Sequence, residues 1–106
     1  MDKKAVLEIV NSFHKEIVVR GIVPDKIILF GSYAQGTNTE NSDIDLVIIS
    51  NDFKGKDFWE RIDILSDAIY EIFAPIEATA FTLEEWIEGN SLITDFAHAG
   101  EVLYAA

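Results

Sequence analysis

The sequence predicts an α/β layer fold, a small sheet of three to four strands covered mainly on one side by helices. Three observations predict it. Apolar residues recur at helical spacing in two long segments, Asp2 to about Arg20 and Asp57 to Phe73. Three short β-rich runs, KIILF, DIDLVIIS and IEATAF, lie between and after them. Gly and Pro punctuate the joints at Gly21, Pro24, Gly55 and Pro75. The 106 residues fit one domain, 1–106. The alternation leaves strand direction open, because the loop of about a dozen residues between the first two strands permits a crossover or an antiparallel return.

Each element has a local cause. The first helix carries Val6, Ile9, Val10, Phe13, Ile17 and Val18 on one face, with Asp2 as its cap. Gly21 ends it. Lys26–Phe30 is a short apolar strand. Ser32 to Gly36 is expected as a short helix, followed by a polar loop from Thr37 to Ser42. Asp43 to Ser50 is the second strand, and Asn51 to Lys56 a turn. The second long helix presents Phe58, Ile62, Leu65, Ile69 and Phe73. Ile76–Phe81 is the third strand. Thr82 and Glu85 form a capping box for a helix running to about Glu88. Ser91 to Ala99 is a last helix, and Glu101 to Tyr104 is either a short strand or a tail.

Composition narrows the function. Hydrophobic residues make up 49% of the chain and the mean hydropathy is +0.16, so a partner or self-association is expected to cover apolar surface. The net charge of −11, from 19 acidic and 8 basic residues, argues against binding along a phosphate backbone. It leaves room for one nucleotide, since metal ions supply local positive charge. The absence of Cys excludes disulfides and thiolate metal sites. Asp-Lys-Lys follows Met1 with no apolar leader stretch, and no apolar run is long enough to span a membrane. The expected location is the cytoplasm.

The chemistry concentrates in ILFGSYAQGTNTENSDIDLVII. On a strand, Asp43 and Asp45 share one face while Ile44 and Leu46 share the other. Two carboxylates about 6.6 Å apart suit a hard cation such as Mg²⁺ together with substrate phosphates. An isolated Asp-x-Asp equally fits a solvated edge strand. Gly31-Ser32 directly follows the first strand. Gly permits close approach of a ligand, and Ser32 offers a hydroxyl and an N–H where a helix begins, although a plain strand-to-helix turn has the same residues. Together the two halves set a phosphate cradle beside a metal-binding pair. Glu77 interrupts an apolar run and needs a partner, a metal or an exposed face. If its strand neighbours the second one, it joins Asp43 and Asp45 as a metal ligand or as the base for an acceptor hydroxyl.

Gly31-Ser32, ten intervening residues, then Ser42-Asp43-Ile44-Asp45-Leu46 resembles the signature of minimal nucleotidyltransferases of the DNA polymerase beta-like superfamily. The likeness covers nearly the whole chain, including the GEVLY ending. It implies that family's small mixed sheet packed against helices. It also implies transfer of a nucleoside monophosphate, AMP from ATP in the first instance, to an acceptor hydroxyl with pyrophosphate leaving. By the same resemblance Gly31, Ser32 and Ser42 lie at the nucleotide, and Asp43, Asp45 and Glu77 hold two Mg²⁺ ions. Members of this size resemble the antitoxin half of a toxin–antitoxin pair with a helical HEPN-domain toxin, some of which adenylylate a toxin tyrosine. No acceptor-binding domain is apparent, so a partner protein is expected to bring the acceptor. The alternatives are a binding module that neutralises its partner by contact and an antibiotic-modifying nucleotidyltransferase.

Two positions depart from the family pattern. Gln35 stands where Arg is frequent, and Glu77 where Asp is common. Lys54, Lys56 and Arg61 are candidate replacements for the missing charge, though all three also fit solvated surface cations. His14 and His98 lack ligand spacing. Trp59, Trp86, Phe13, Phe58 and Phe96 are expected in core or interface packing, with base stacking by one of them left open.

Overall fold

The computed structural model describes residues 1–106. In chain order the elements are α1 (Lys3–Val19), β1 (Lys26–Phe30), α2 (Ser32–Gln35), β2 (Ile44–Ile49), α3 (Phe58–Ile72), β3 (Ile76–Phe81), α4 (Leu83–Glu88), α5 (Leu92–His98) and β4 (Glu101–Ala105). A single 3-10 turn, Asn51–Phe53, occupies part of the expected turn after β2. The terminal segment is a strand.

The four strands form one mixed sheet in the order β3-β2-β1-β4. The β1–β2 loop makes an antiparallel return, pairing Phe30 with Asp45. The long excursion through α3 then brings β3 back parallel to β2, with Asp45 opposite Glu77. β4 runs antiparallel to β1 along the other edge, with a register break between Ile27 and Ile28.

The core follows from strand alternation. Ile44, Leu46 and Ile48 point to one face of the sheet and join Val6, Val10, Phe13 and Ile17 of α1 with Leu65 and Ala68 of α3. Val47 and Ile49 point to the other face, where Ile28 and Ala97 join them beneath α5. β2 is therefore buried on both faces from Leu46 to Ile49, as a central strand should be. Its exposed end is the acidic one.

Capping boxes start three helices: Asp57/Glu60 at α3, Thr82/Glu85 at α4 and Ser91/Thr94 at α5. The aromatics expected in core or interface packing divide between core and surface. Phe13 is fully buried, but Phe58, Trp59 and Phe96 are exposed. Phe73 does not continue the buried stripe of α3, which centres on Leu65 and Ala68. It is the C-cap, held in left-handed conformation at φ 51°, and its ring is 90% exposed.

Candidate active site

The site residues gather at one end of the sheet because of strand direction. β1 finishes there, and β2 and β3 both begin there. Asp45 lies on β2, and Glu77 is its register partner on β3, so both side chains leave the same face of adjacent strands. Asp43 lies one residue outside the ladder and is exposed. Ser42 closes the preceding turn: its Oγ accepts from the Thr39 N–H at 2.8 Å, and its N–H donates to the Thr39 carbonyl at 3.1 Å. That turn fixes where the chain enters β2, and so where Asp43 stands.

Gly31 has a more specific task than its position in the sequence reveals. It caps α2 with φ 72° and ψ −152°, a conformation open to glycine and costly for other residues. A Cβ on Gly31 would lie 2.2 Å from Oδ2 of Asp45. The missing side chain therefore makes room for the carboxylate, and it lets the α2 turn close over the start of β2. Ser32 opens α2 half-buried, with a hydroxyl that bonds to nothing else in the chain. The first N–H groups of such a turn lack intrahelical acceptors.

Electrostatics mark Asp45 out. Its pKa is pushed up to about 6, first by burial, then by the adjacent Glu77 carboxyl, and then by the charge of Asp43. Three acids held together in this way are short of positive charge. The three carboxylates do not close into a ready-made metal cage in this conformation. Their chemistry still fits a hard divalent cation. All the donors are oxygens, and Asp45 is partly desolvated beside two further acids whose repulsion a cation would relieve.

Lys54, Lys56 and Arg61 do not compensate for Gln35. They follow the opposite end of β2, and the strand from Asp45 to Ile49 alone spans about 13 Å. Arg61 is also engaged there, donating to Glu85 at 2.6 Å and to the Lys56 carbonyl at 2.9 Å. The Arg61 and Thr82 hydrogen bonds outweigh the burial of Glu85 and leave its pKa lowered. A cation not singled out from the sequence, Lys3, pairs with Glu101 at the start of β4, beside Leu29 near the acidic end. No local signal could have found it, since the two residues meet only through the β1–β4 pairing.

His14 packs edge-on against Tyr104 and its pKa is lowered by burial, while His98 stacks on Trp86. No helix is long and apolar enough to cross a membrane.

Comparisons with known proteins agree with this geometry. A family model described as a nucleotidyltransferase domain matches residues 4–93. Two proteins of Methanocaldococcus jannaschii, provisionally named protein adenylyltransferases, are similar in part. One is 48% identical over 50 residues, 47% of this chain and 47% of its own. The other is 36% identical over 72 residues, 67% of this chain and 48% of its own. The aligned segments thus span about half the length of these relatives. Among solved structures, a protein from Sulfolobus solfataricus provisionally named a nucleotidyltransferase superposes with TM-score 0.71 at 17% identity, covering 95% of this chain and 81% of that one. A toxin–antitoxin structure with AMP-PNP gives TM-score 0.60 at 20% identity, covering 94% and 73%. At these identities the structural neighbours establish the mixed-sheet fold. With the family match spanning most of the chain, the protein belongs to the nucleotidyltransferase domain family.

Proposed function

We propose that the chain transfers AMP from ATP to a hydroxyl of a partner protein, and that this partner is a HEPN-domain toxin for which the chain is the antitoxin. The observation that carries the reading is the register pairing of Asp45 with Glu77 beside Gly31, at one open end of the sheet. Family membership supports nucleotidyl transfer. The similar M. jannaschii proteins support a protein acceptor, and the toxin–antitoxin neighbours support the partner.

In this reading Asp43, Asp45 and Glu77 hold two Mg²⁺ ions, and Gly31 with Ser32 receives the triphosphate. Two such ions, bound there, would neutralise charge at the phosphates and lower the pKa of the acceptor hydroxyl. The acceptor oxygen bonds to the α-phosphorus, the bond to the β-phosphate oxygen breaks, and pyrophosphate leaves. Glu77, exposed beside Asp45, accepts the hydroxyl proton. Ser42 holds the turn that positions Asp43. Most of the protein's contribution is rigid placement, because little covalent chemistry falls to side chains in such displacements.

A second reading keeps the fold but neutralises the partner by stoichiometric contact. Gln35 favours it, since the cations that follow β2 lie far from the site. The test uses ATP labelled at the α- or the γ-phosphate, with the co-purified partner as acceptor. Transfer of α-label alone, dependent on Mg²⁺ and lost in Asp45→Asn, is the expected result. Neutralisation that survives Asp43→Asn with Asp45→Asn, without any α-label transfer, would establish the second reading instead.

A further inference from the structure

The free edge of β3 is the least explained part of the molecule. Edge strands expose unpaired backbone groups and are normally covered, charged or bulged. β3, IEATAF, has neither a bulge nor a lysine, whereas the opposite edge, β4, has a register break against β1. At the two ends of the β2–β3 ladder, the Ile44 N–H donates to the Pro75 carbonyl and the Ser50 N–H to the Phe81 carbonyl. Odd-numbered residues of β3 therefore bond to β2, and the N–H and C=O of Ala78 and Ala80 point outward.

A groove lies along that outward side. A cavity of about 570 Å³ is lined by Ala78, Thr79 and Ala80, with Ile62 and Leu65 of α3 on one side and Ile93 of α5 on the other. A second cavity of about 410 Å³ shares Ile62, Leu65, Ala78 and Thr79 and reaches Glu77. The two run together from Glu77 to Glu85. Alanines keep the strand side shallow. The far end carries more acid than base: Asp57 and Glu85 line it with Lys56 and Arg61, Glu88 lines the adjoining cavity, and Arg61 is already held by Glu85.

We propose that β3 is the docking strand for the acceptor. An extended segment of the partner, basic at the end remote from Glu77, pairs with Ala78 and Ala80 and presents its hydroxyl residue beside Glu77. This rests on the transfer reading above and specifies how the acceptor is held. In an added strand the residue opposite Glu77 lies about 4.8 Å away and points to the face that carries Asp45. Backbone pairing supplies affinity, and the apolar groove and acidic rim supply selectivity.

The test measures binding of fluorescein-labelled peptides of about ten residues, with alternating Val and Thr, a central Tyr and a Lys pair at one end. A matched set carries Glu in place of Lys. Ala80→Pro removes one outward N–H, and proline is tolerated on an edge strand where its nitrogen faces away from the ladder. Ala80→Lys blunts the same edge with a charge and keeps the N–H. The Lys peptide is expected to bind the parent and to weaken about tenfold or more in both variants, while affinity for a fluorescent ATP analogue is unchanged. The Glu peptide is expected to bind poorly. Amide exchange at Ala78 and Ala80 slows when the Lys peptide binds. Failure of the parent to bind, equal binding by a folded Ala80→Lys, or unchanged exchange at both amides overturns the proposal. If the peptide docks as described and no α-label reaches it or the natural partner, the docking strand stands and the transfer reading falls.

Discussion

The two faces of the sheet differ in what they protect. Under α1 and α3 the core is continuous and, but for the Tyr33 hydroxyl, apolar, with Phe13, Ile17, Leu46 and Ile48 fully buried. Under α5 the buried cluster has four members, and it ends where Asp45 begins. One strand, β2, serves both faces through simple alternation. The contrast teaches that stability and chemistry are separated by the pleat: even-numbered residues of β2 hold the domain together, while Asp45 leaves the thinly covered side and meets Glu77.

Substitutions that strike each face separately test that division. The largest effect is on transfer. Asp45→Asn should lower the transfer rate about a thousandfold, roughly 4 kcal/mol of barrier, measured by single-turnover label transfer. It should at the same time raise the melting temperature at pH 7.5 without Mg²⁺. The sign follows from the raised pKa: protonation of Asp45 favours the folded chain. That contribution is present below the ordinary value of 3.8 and lost as pH rises through about 6. Asparagine escapes the loss. On the other face, Phe13→Ala should cost about 3–5 kcal/mol of stability in urea unfolding.

Gly31→Ala comes next. The backbone at φ 72° and the 2.2 Å approach to Asp45 both oppose a methyl group. About 1–3 kcal/mol of stability should be lost, and Mg²⁺ affinity should fall because the Asp45 carboxylate is displaced. Calorimetric titration with Mg²⁺ checks the second part. The smallest effect compares neighbours. Ile48→Val and Ile49→Val remove one methylene each from opposite faces, at about 1 kcal/mol or less. The loss at Ile49 should be the smaller, because the four-residue cluster around it has more room to relax.

Much of this was legible in the sequence because it depends on short-range rules. Period-two alternation in DIDLVII put Ile44 and Leu46 inward and Asp45 on the other face, and the helix caps at Asp2 and Thr82 follow from local hydrogen bonding. Strand direction was not legible, since loop length alone left the β1–β2 connection open. The opposition of Asp45 and Glu77 depends on a register set across a long excursion through α3. The reason for Gly31 was hidden in the same way, because its crowding partner is fourteen positions on. Phe58 and Phe73 match a helical stripe in spacing, yet one sits in the first turn of α3 and the other at its cap, where the helix no longer faces the core. The distance of Lys54, Lys56 and Arg61 from the acids follows only once β2 is laid out in space.

The central claim is that Asp45 and Glu77 form a carboxylate pair built for a divalent cation. Carbon-13 NMR of the Asp45 carboxyl, titrated with and without Mg²⁺, tests it directly. The account predicts an apparent pKa near 6 in the free chain, and a marked fall when Mg²⁺ is present. An ordinary carboxylate titration that Mg²⁺ leaves unmoved would contradict it.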